Sequence, residues 1–499
     1  MRAFPFRYRL PTMNMLPRIL PAVFSSFMLL VASSLDAAEP LRPTQQSAVA
    51  DVEARHSELN EVNKALWEFA EVGLEEHRSS ALLIDKLKAA GFKVRVGVAD
   101  MPTAFVAEFG SGTPIIGILA EYDALPGLSQ QISPQRDPVT ADDPGHGCGH
   151  CGLGTGALGA ALAVKAAMEK HSLAGTIRLY GTPAEETLIG KVYMTLAGEF
   201  SGLDACLHWH PGDRNDAWNG ESKAAVSAKF TFAGVTAHAS GSPDKGRSAL
   251  DAVELMNVGA NFMREHLKGD VRVHYVITNG GGAPNVVPAK STVWYYVRAD
   301  DHLDVERNFA WLRDIADGAA KMTRTKVSVQ IDTDCHEIIP NDPLAALLLA
   351  NLQRIGPPKF TPEEHTFARR LQESVTQEFG TNFKLALNEE IHRAPKPGGG
   401  RGSTDVGDIS WHVPTGGLRT ACFASESPGH SWQNVAAIGS TIGEKGVSYA
   451  AKVLACTALD LLENPPALAA AKHDFTERMK NRKYNTLIPP GQKAPKSIR

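Results

Sequence analysis

The alternation of helix-like and strand-like segments constrains the fold of this chain more than any other feature. After Pro40, short apolar runs bounded by Gly and Pro, such as residues 104–108 and 115–120, alternate with helical periodicity, as at 51–70 and 79–90. Bounded apolar runs are typical of buried parallel strands, and the alternation indicates an α/β domain. The functional site of such a domain is expected at the carboxyl ends of its strands.

One long segment, residues 222–334, breaks this alternation. It predicts strands at 223–232, 271–278, 291–299 and 326–332 and helices at 248–267 and 303–322. The resulting order, β-α-β-β-α-β, is that of a ferredoxin-like unit. Because α/β patterning resumes near Pro340, we expect an insertion. The predicted organisation is a signal peptide (1–38), a main α/β domain in two parts (45–221 and 335–470), the insertion, and a solvated basic C-terminal extension (471–499).

The N-terminus has the three parts of a secretory signal. Four arginines within residues 1–18 precede an apolar run at 19–32, and small residues follow at 33–38. The apolar run is too short to span a bilayer, and no other stretch could cross one. We expect cleavage and export, to a bacterial periplasm. An uncleaved anchor is the alternative, because the cleavage zone lacks a clean Ala-x-Ala.

Charge and cysteine content exclude other classes. A formal net charge of −4, with no basic stripe in the body of the chain, argues against a nucleic-acid partner. Six cysteines among 499 residues do not make a disulfide scaffold. Cys206, Cys335, Cys422 and Cys456 are predicted to be core thiols.

The glycine-rich block at residues 145–152 matches three weak motifs at once. A dinucleotide fingerprint is disfavoured, because the preceding residues 137–144 have loop composition rather than that of a strand. A redox motif, Cys148-x-x-Cys151, is disfavoured because glycines follow where a helix should start, and no thioredoxin-like unit is evident. The third motif is a metal-ligand pair, Cys148 and His150.

Metal-capable side chains recur where predicted strands end. They are Glu121 and Asp123, Cys148 and His150, Glu185 and Glu186, His208 and His210, and His430. Each alone is more often structural, but their convergence on one sheet edge predicts a metal site. Imidazole, carboxylate and thiolate together suit zinc, manganese, cobalt or nickel better than calcium or magnesium. Of the adjacent acids, one can bind metal while the other accepts a proton from an activated water, which indicates hydrolytic chemistry.

An ordered set of motifs, running from about residue 50 to about 490, resembles a known superfamily. The motifs are Glu121-Tyr-Asp-Ala-Leu-Pro-Gly127, Gly145-His-Gly-Cys-Gly-His150, Gly181-Thr-Pro-Ala-Glu-Glu186, Trp209-His-Pro211, Thr236-Ala-His-Ala239, Pro284-Asn-Val-Val-Pro288, Gly402-Ser-Thr-Asp405 and Pro428-Gly-His430. They are similar to those of the metal-dependent aminoacylase and carboxypeptidase superfamily. The nearest branch is the amidohydrolase branch of the B-type subunit of p-aminobenzoyl-glutamate hydrolase, hippurate hydrolase and indole-acetyl-amino-acid hydrolases. The resemblance implies a mixed-sheet, zinc-peptidase-like catalytic domain whose inserted ferredoxin-like domain is a lid that also dimerises.

The resemblance also implies roles for individual residues. The expected metal ligands are Cys148, His150, Glu186, His210 and His430, with His208 competing with His210. Glu185 matches the general base, and Asp123 an acid that orients the metal site. His238 resembles a lid histidine that crosses to the partner subunit's site, and Asn285 a lid residue that binds substrate. Where the branch usually has Asp or Asn after the second ligand, this chain has Cys151.

The expected activity is therefore hydrolysis of the amide bond of N-acyl or N-aroyl amino acids, of the p-aminobenzoyl-glutamate type. Two divalent ions per subunit are implied, Zn²⁺ or Mn²⁺, with Co²⁺ or Ni²⁺ as further options. A homodimer or a hetero-oligomer with a related subunit is expected, without a nucleic-acid partner or a stable membrane anchor. Two alternatives stay open: a catalytically idle binding or partner subunit, and a thiol–disulfide enzyme that uses Cys148 and Cys151.

Overall fold

An eight-stranded mixed sheet forms the framework of the larger part of the molecule. The computed structural model describes residues 40–392 and 402–497, so the predicted signal peptide (1–38) lies outside the described residues. In sheet order the strands are β1 (Lys93–Val96), β2 (Phe105–Ser111), β4 (Gly175–Gly181), β3 (Ile115–Ala120), β5 (Ala205–Gly212), β12 (Thr415–Ala421), β6 (Asn215–Trp218) and β11 (Ile391–His392). The four central strands, β4, β3, β5 and β12, run parallel. Their carboxyl ends therefore meet at one edge.

Helices cover the main sheet. They are α1 (Pro43–Ala54), α2 (His56–Phe69), α3 (His77–Ala89), α4 (His150–His171), α5 (Gly190–Leu196), α8 (Asp342–Ile355), α9 (Pro362–Phe379), α10 (Val406–Ser410), α11 (Trp432–Ile438), α12 (Thr441–Glu463) and α13 (Pro465–Met479). The predicted helix at 51–70 is in fact the pair α1 and α2, which are separated at Arg55 (φ −91°, ψ 7°). Arg55 leaves helical geometry, but the apolar periodicity of the sequence continues across it. The sequence pattern therefore does not reveal the break.

Helix α4 is the central helix of the main core. It is rich in Ala and Gly, which lets neighbours approach closely: a Cβ at Gly156 would lie 2.7 Å from the Trp209 indole. The indole N–H of Trp209 donates to the carbonyl of Leu153 at 2.9 Å. Among the described helices, α4 alone has the length and hydropathy of a membrane span, but 89% of its most apolar window is buried inside the protein. That burial is what a core helix shows.

The start of α4 corrects a sequence-based expectation. The glycines after Cys151 disfavour a helix start there, yet the helix begins at His150 and includes Gly152 and Gly154. A Cβ on Gly152 would lie 2.8 Å from the Ile438 side chain, and one on Gly154 would lie 2.8 Å from the carbonyl of Glu121. The glycines are needed for close packing of the first turns, which outweighs their low helix propensity.

Residues 224–335 form a second sheet. Its strands are β7 (Ala224–Ala233), β8 (Arg272–Asn279), β9 (Lys290–Ala299) and β10 (Lys326–Cys335), in the antiparallel order β10-β7-β9-β8, with α6 (Ala249–Arg264) and α7 (His302–Thr323) packed against it. The six elements follow in the β-α-β-β-α-β order predicted for this segment. Ala225 at the start pairs with Cys335 at the end. The chain thus enters and leaves the inserted unit at one place.

The C-terminal extension is not the solvated segment that its basic composition predicted. The boundary placed at 470/471 falls inside α13, and residues beyond it contact helix α10 and strand β10. The Tyr484 hydroxyl donates to Asp408 at 2.8 Å, the Leu487 amide donates to Asp334 at 2.6 Å, and the Ile488 side chain is buried. Asp334 lies on β10 and Asp408 on α10, so the extension joins the inserted unit to the main domain.

Candidate metal centre

The predicted metal-capable residues converge at the carboxyl edge of the central parallel strands. Glu121 and Asp123 follow β3, Glu185 and Glu186 follow β4, His210 lies near the end of β5, and Cys148 and His150 stand at the start of α4. Parallel strands place their carboxyl ends together, so residues far apart in sequence meet here.

Within this cluster, the donor atoms form two triads that share one sulfur. Cys148, His150 and His210 make the first triad, and Cys148, Glu186 and His430 the second, with the donor atoms of each triad within 4.8 Å of one another. Cys148 Sγ lies 3.3 Å from His210 Nε2, and His430 Nε2 lies 3.4 Å from Glu186 Oε2. The structure thus brings all five predicted ligands together. Such an arrangement suits two ions with Cys148 between them.

In both histidines of the first triad, Nδ1 is held by an oxygen acceptor, so that Nε2 faces the cluster. His150 Nδ1 donates to Asp123 Oδ1 at 2.8 Å, and His210 Nδ1 donates to the Pro211 carbonyl at 2.6 Å. His150 Nε2 is buried without a hydrogen-bond partner. A carboxylate or carbonyl partner on the far nitrogen is what fixes a metal-binding imidazole. Asp123 Oδ2 also accepts the Glu186 amide N–H at 2.9 Å, so Asp123 contacts two of the predicted ligands, and its orienting role stays a prediction.

The geometry favours His210 over its competitor His208. Side chains two residues apart on a strand share a face, but His208 lies two residues further from the strand's carboxyl end, about 7 Å deeper in the sheet. Its ring packs edge-on against Trp218, with 5.3 Å between centroids, beside Gly417 of β12. His208 is therefore a buried residue that packs inside the main sheet.

Glycine at position 149 is needed for the turn that separates Cys148 from His150. Gly149 has φ +84°, a left-handed conformation, and a Cβ there would lie 2.9 Å from the Phe423 ring. Any other residue at this position would be both strained and too large, so the loop conformation that presents the two ligands depends on it.

The two adjacent acids lie in a short turn with a left-handed residue at each end. Glu185–Thr187 form one 3₁₀ turn between Ala184 (φ 56°, ψ 42°) and Leu188 (φ 60°, ψ 34°). Left-handed non-glycine residues cost on the order of 1–3 kcal/mol each and persist where packing enforces them. Both carboxylates come near His150, with Glu185 Oε2 3.8 Å from Nε2 and Glu186 Oε1 3.9 Å from Nδ1, but only Glu186 reaches His430, at 3.4 Å. This geometry supports different roles for the two carboxylates.

The electrostatics of the cluster also suit a bound cation. Burial, with the charge of Glu121, raises the pKa of Glu185 well above its usual range, and burial raises that of Glu186 to about 7. Burial lowers the pKa of His210 to about 4, which keeps its imidazole neutral and able to bind metal. A divalent ion would relieve the repulsion among the acids and favour the Cys148 thiolate. The sulfur, nitrogen and oxygen donors fit a zinc-like ion.

The sequence analysis missed several residues that shape this site. Lys191 is fully buried and lies between Glu121 and Asp405, while Glu76 accepts the Ala184 amide N–H at 2.8 Å. Burial, together with the charge of Asp123, raises the pKa of Glu76 to about 8. The available signals were a lone lysine in the otherwise uncharged α5 and the Gly402–Asp405 motif. Glu121 was noted at the strand end but not given a role.

The two predicted substrate residues of the inserted unit lie apart from this cluster. His238 is exposed, and its Nδ1 accepts the amide N–H groups of Ser240 and Gly241 at 3.2 and 3.0 Å. The carbonyl of Asn285, also exposed, accepts the Ala239 amide N–H at 3.1 Å. Across residues 40–392 and 402–497, no hydrogen bond or ion pair joins either to the metal-ligand cluster. Their predicted roles stay predictions.

The structure also bears on the thiol–disulfide alternative. Cys148 and Cys151 are free thiols, and their motif does begin a helix, contrary to the expectation from its glycines. However, Cys151 is fully buried among apolar side chains, and burial raises the pKa of both thiols. A redox cysteine needs the opposite, an accessible thiol of lowered pKa.

The two cysteines make a matched pair for testing the ligand assignment. We expect Cys148→Ala to lose bound metal, because it removes the donor that both triads share, and Cys151→Ala to keep the wild-type content. Cys151→Ala should cost only stability, about 1 kcal/mol for a small buried side chain. Metal per chain, measured by mass spectrometry after dialysis, checks this. Equal metal loss in both variants would contradict the assignment.

Comparison with known proteins decides the family. The model of peptidase family M20/M25/M40 matches residues 117–459, which is most of the chain. The chain belongs to this family. It is therefore a hydrolase of amide bonds, and the binding subunit without enzymatic chemistry is the less supported alternative.

Individual M20 relatives agree over almost the whole chain. The sequence is 38% identical to the B-type subunit of p-aminobenzoyl-glutamate hydrolase of Escherichia coli K12 over 461 residues, 88% of this chain and 96% of the relative. It is 28% identical to the Xaa-Arg dipeptidase of Mus musculus, covering 88% and 93%. A crystal structure of a dinuclear metal-binding M20 peptidase from Bacillus subtilis matches with a TM-score of 0.52 at 17% identity, covering 82% and 99%. That last likeness supports the mixed α/β fold.

Proposed function

We propose that this M20 hydrolase is a two-metal amidohydrolase that removes the acyl or aroyl group from an N-acyl amino acid, with p-aminobenzoyl-glutamate as the preferred type. The observation that carries the proposal is the pair of donor triads sharing Cys148, with the Glu185 carboxylate beside them. The similarity to an enzyme named for p-aminobenzoyl-glutamate directs the choice of substrate.

In the proposed mechanism, Cys148, His150 and His210 would hold one ion, and Glu186 and His430, with Cys148 within reach, would hold the other. Bound divalent ions supply Lewis acidity, which lowers the pKa of water and polarises a carbonyl. Glu185 accepts the proton of the attacking water and returns it to the departing amine nitrogen. Asp123 keeps the Nδ1 proton on His150, so that this ring presents its lone pair on Nε2.

We further propose that the inserted unit is a ferredoxin-like lid through which two copies associate. Apolar side chains are exposed on α6 and on the edge strand β8, namely Leu255, Val258, Phe262, Val276 and Ile277, and Phe262 is 70% exposed. Exposed apolar side chains of this size are common at interfaces. A related chain could occupy the same face, since the relative is named as one subunit of its enzyme. Sedimentation of the purified chain, with and without Phe262→Glu, tests self-association.

Export is also part of the proposal. Residues 1–38 supply the charged, apolar and small-residue parts of a signal peptide. Expression in a Gram-negative host, followed by fractionation and mass measurement of the N-terminus, tests it. Recovery of the intact chain from the cytoplasm would contradict export without touching the proposed chemistry.

A hydrolysis screen tests the activity. The purified chain, loaded with Zn²⁺ or Mn²⁺, is incubated with p-aminobenzoyl-glutamate, benzoyl-glycine, an indole-acetyl amino acid and an Xaa-Arg dipeptide. We expect turnover of the aroyl-amino acids, loss of activity with a chelator, and recovery with metal. Glu185→Gln purified in parallel excludes host amidases. Metal binding without turnover of any acyl-amino acid would contradict the proposal and favour a catalytically idle subunit.

A further inference from the structure

A buried ion cluster, which none of the proposed roles uses, lies directly behind the metal centre. Lys191 Nζ lies 2.8 Å from Glu121 Oε1 and 2.5 Å from Asp405 Oδ1. The backbone N–H of Lys191 also donates to Asp405 Oδ2 at 2.8 Å. All three side chains are buried, Lys191 completely. Burying one cation with two anions is costly, and a lone structural ion pair is weak evidence for stability.

Only one oxygen of the Glu121 carboxylate, Oε1, has a partner in this cluster. Its second oxygen, Oε2, is buried without a hydrogen-bond partner and lies 3.3 Å from His150 Nε2, which also lacks one. Asp123 holds Nδ1 of His150, so Nε2 is the ring nitrogen that faces Glu121 Oε2. Two buried polar atoms at this distance need a positive charge near both, either a proton on Nε2 or, in its place, a bound divalent ion.

A second observation points the same way. Glu121, His150 and Glu185 form a third set whose donor atoms lie within 4.8 Å of one another. His150 belongs both to this set and to the first triad, so an ion bound by His150 Nε2 comes within reach of Glu121 Oε2. The remaining oxygen stays on Lys191, which limits Glu121 to one donor atom.

We propose that Glu121 is an additional ligand of the ion held by Cys148, His150 and His210, and that Lys191 and Asp405 fix its position. The inference rests on the proposed metal centre and implies that its two sites differ in metal affinity. The first site has four protein donors, of which His150 and Glu121 are buried and Cys148 and His210 half-buried, whereas the second has Cys148, Glu186 and the 57% exposed His430 side chain. The first should bind metal more tightly than the second.

Metal titration of the apo-enzyme tests this directly. Chelated wild-type protein, titrated with Co²⁺, should bind two ions in two affinity classes, with a sulfur-to-metal absorption band and strong d–d bands as the tight class fills. Glu121→Gln should weaken the tight class about 10-fold or more, the scale of changes around metal ligands. Lys191→Met should weaken it as well, because Glu121 loses its anchor.

A matched control separates this effect from the loss of any buried ion pair. Asp332 is a buried carboxylate on β10 that lies 3.3 Å from Lys229, and it belongs to none of the donor sets of the metal cluster. Asp332→Asn should leave both affinity classes unchanged. If Glu121→Gln does not fold, Glu121→Asp keeps the charge but shortens the reach, and it should weaken the tight class.

The outcomes distinguish this inference from the proposed function. Wild-type protein that binds no divalent ion would overturn the metal centre itself. Wild type that binds two ions, together with a folded Glu121→Gln variant of unchanged affinities and cobalt spectrum, would overturn only the role of Glu121. Weakening by Asp332→Asn equal to that by Glu121→Gln would also overturn it, since the effect would then be structural.

Discussion

Glu185→Gln should lower turnover about 100-fold or more, the usual size of a general-base contribution. The amide keeps the shape of the carboxylate but cannot accept the proton of the attacking water. Metal content should stay near that of wild type, because Glu185 belongs to neither of the triads that share Cys148. Steady-state kinetics on p-aminobenzoyl-glutamate, with metal analysis of the same sample, measure both quantities.

Glu186→Gln is the control for that substitution. The two acids are neighbours in one 3₁₀ turn, but Glu186 Oε2 lies 3.4 Å from His430 Nε2 and belongs to the second triad. This variant should lose metal as well as activity, and excess metal should restore part of the activity. If Glu185→Gln empties the site while Glu186→Gln leaves it full, the two roles are assigned in the wrong order.

Subunit mixing should restore activity to a pair of inactive variants if His238 acts in the partner subunit's site. A His238→Ala chain keeps Glu185, and a Glu185→Gln chain keeps His238, so a mixed dimer contains one complete site. After dissociation and random reassociation of equal amounts, about one quarter of wild-type activity is expected, since half the dimers are mixed and each has one intact site. The exposure of His238 and its contacts within its own loop motivate the experiment.

The complementation needs evidence that exchange occurred. Distinguishable tags on the two chains allow mixed dimers to be isolated and assayed alone. Mixed dimers that stay inactive would show that His238 serves its own subunit or only the loop that carries it. Glu185→Gln mixed with wild-type chain gives the reference activity for one intact site per dimer.

The parts of this molecule that local sequence determines were predictable. Strand β3 has the predicted limits, 115–120, because Pro114 and Glu121 bound an apolar run on both sides. The edge where the metal-capable residues meet followed from the order of the strands, since parallel strands place their ends together. The six elements of the inserted unit follow in the predicted order, because the apolar pattern within each segment determines whether it forms a helix or a strand.

The features that depend on tertiary packing were not predictable. The start of α4 lies among glycines whose value is close contact with Ile438 and Glu121, which propensity does not reveal. The C-terminal extension looked solvated because its charges are visible in sequence and its contacts with Asp334 and Asp408 are not. The sequence pattern gave Lys191 no role, since only the fold places two carboxylates beside it.

The place of β12 in the main sheet has a consequence for how the chain folds. This strand lies between β5 and β6, although more than 190 residues of sequence separate them from it. During synthesis, β5 and β6 are complete before β12 is translated. The edge of each strand that will pair with β12 therefore lacks its hydrogen-bonding partner during this time. Pairing between strands that lie far apart in sequence folds slowly, and unpaired strand edges favour aggregation. Heterologous production should therefore respond more to slower synthesis and chaperone supply than to changes at the surface.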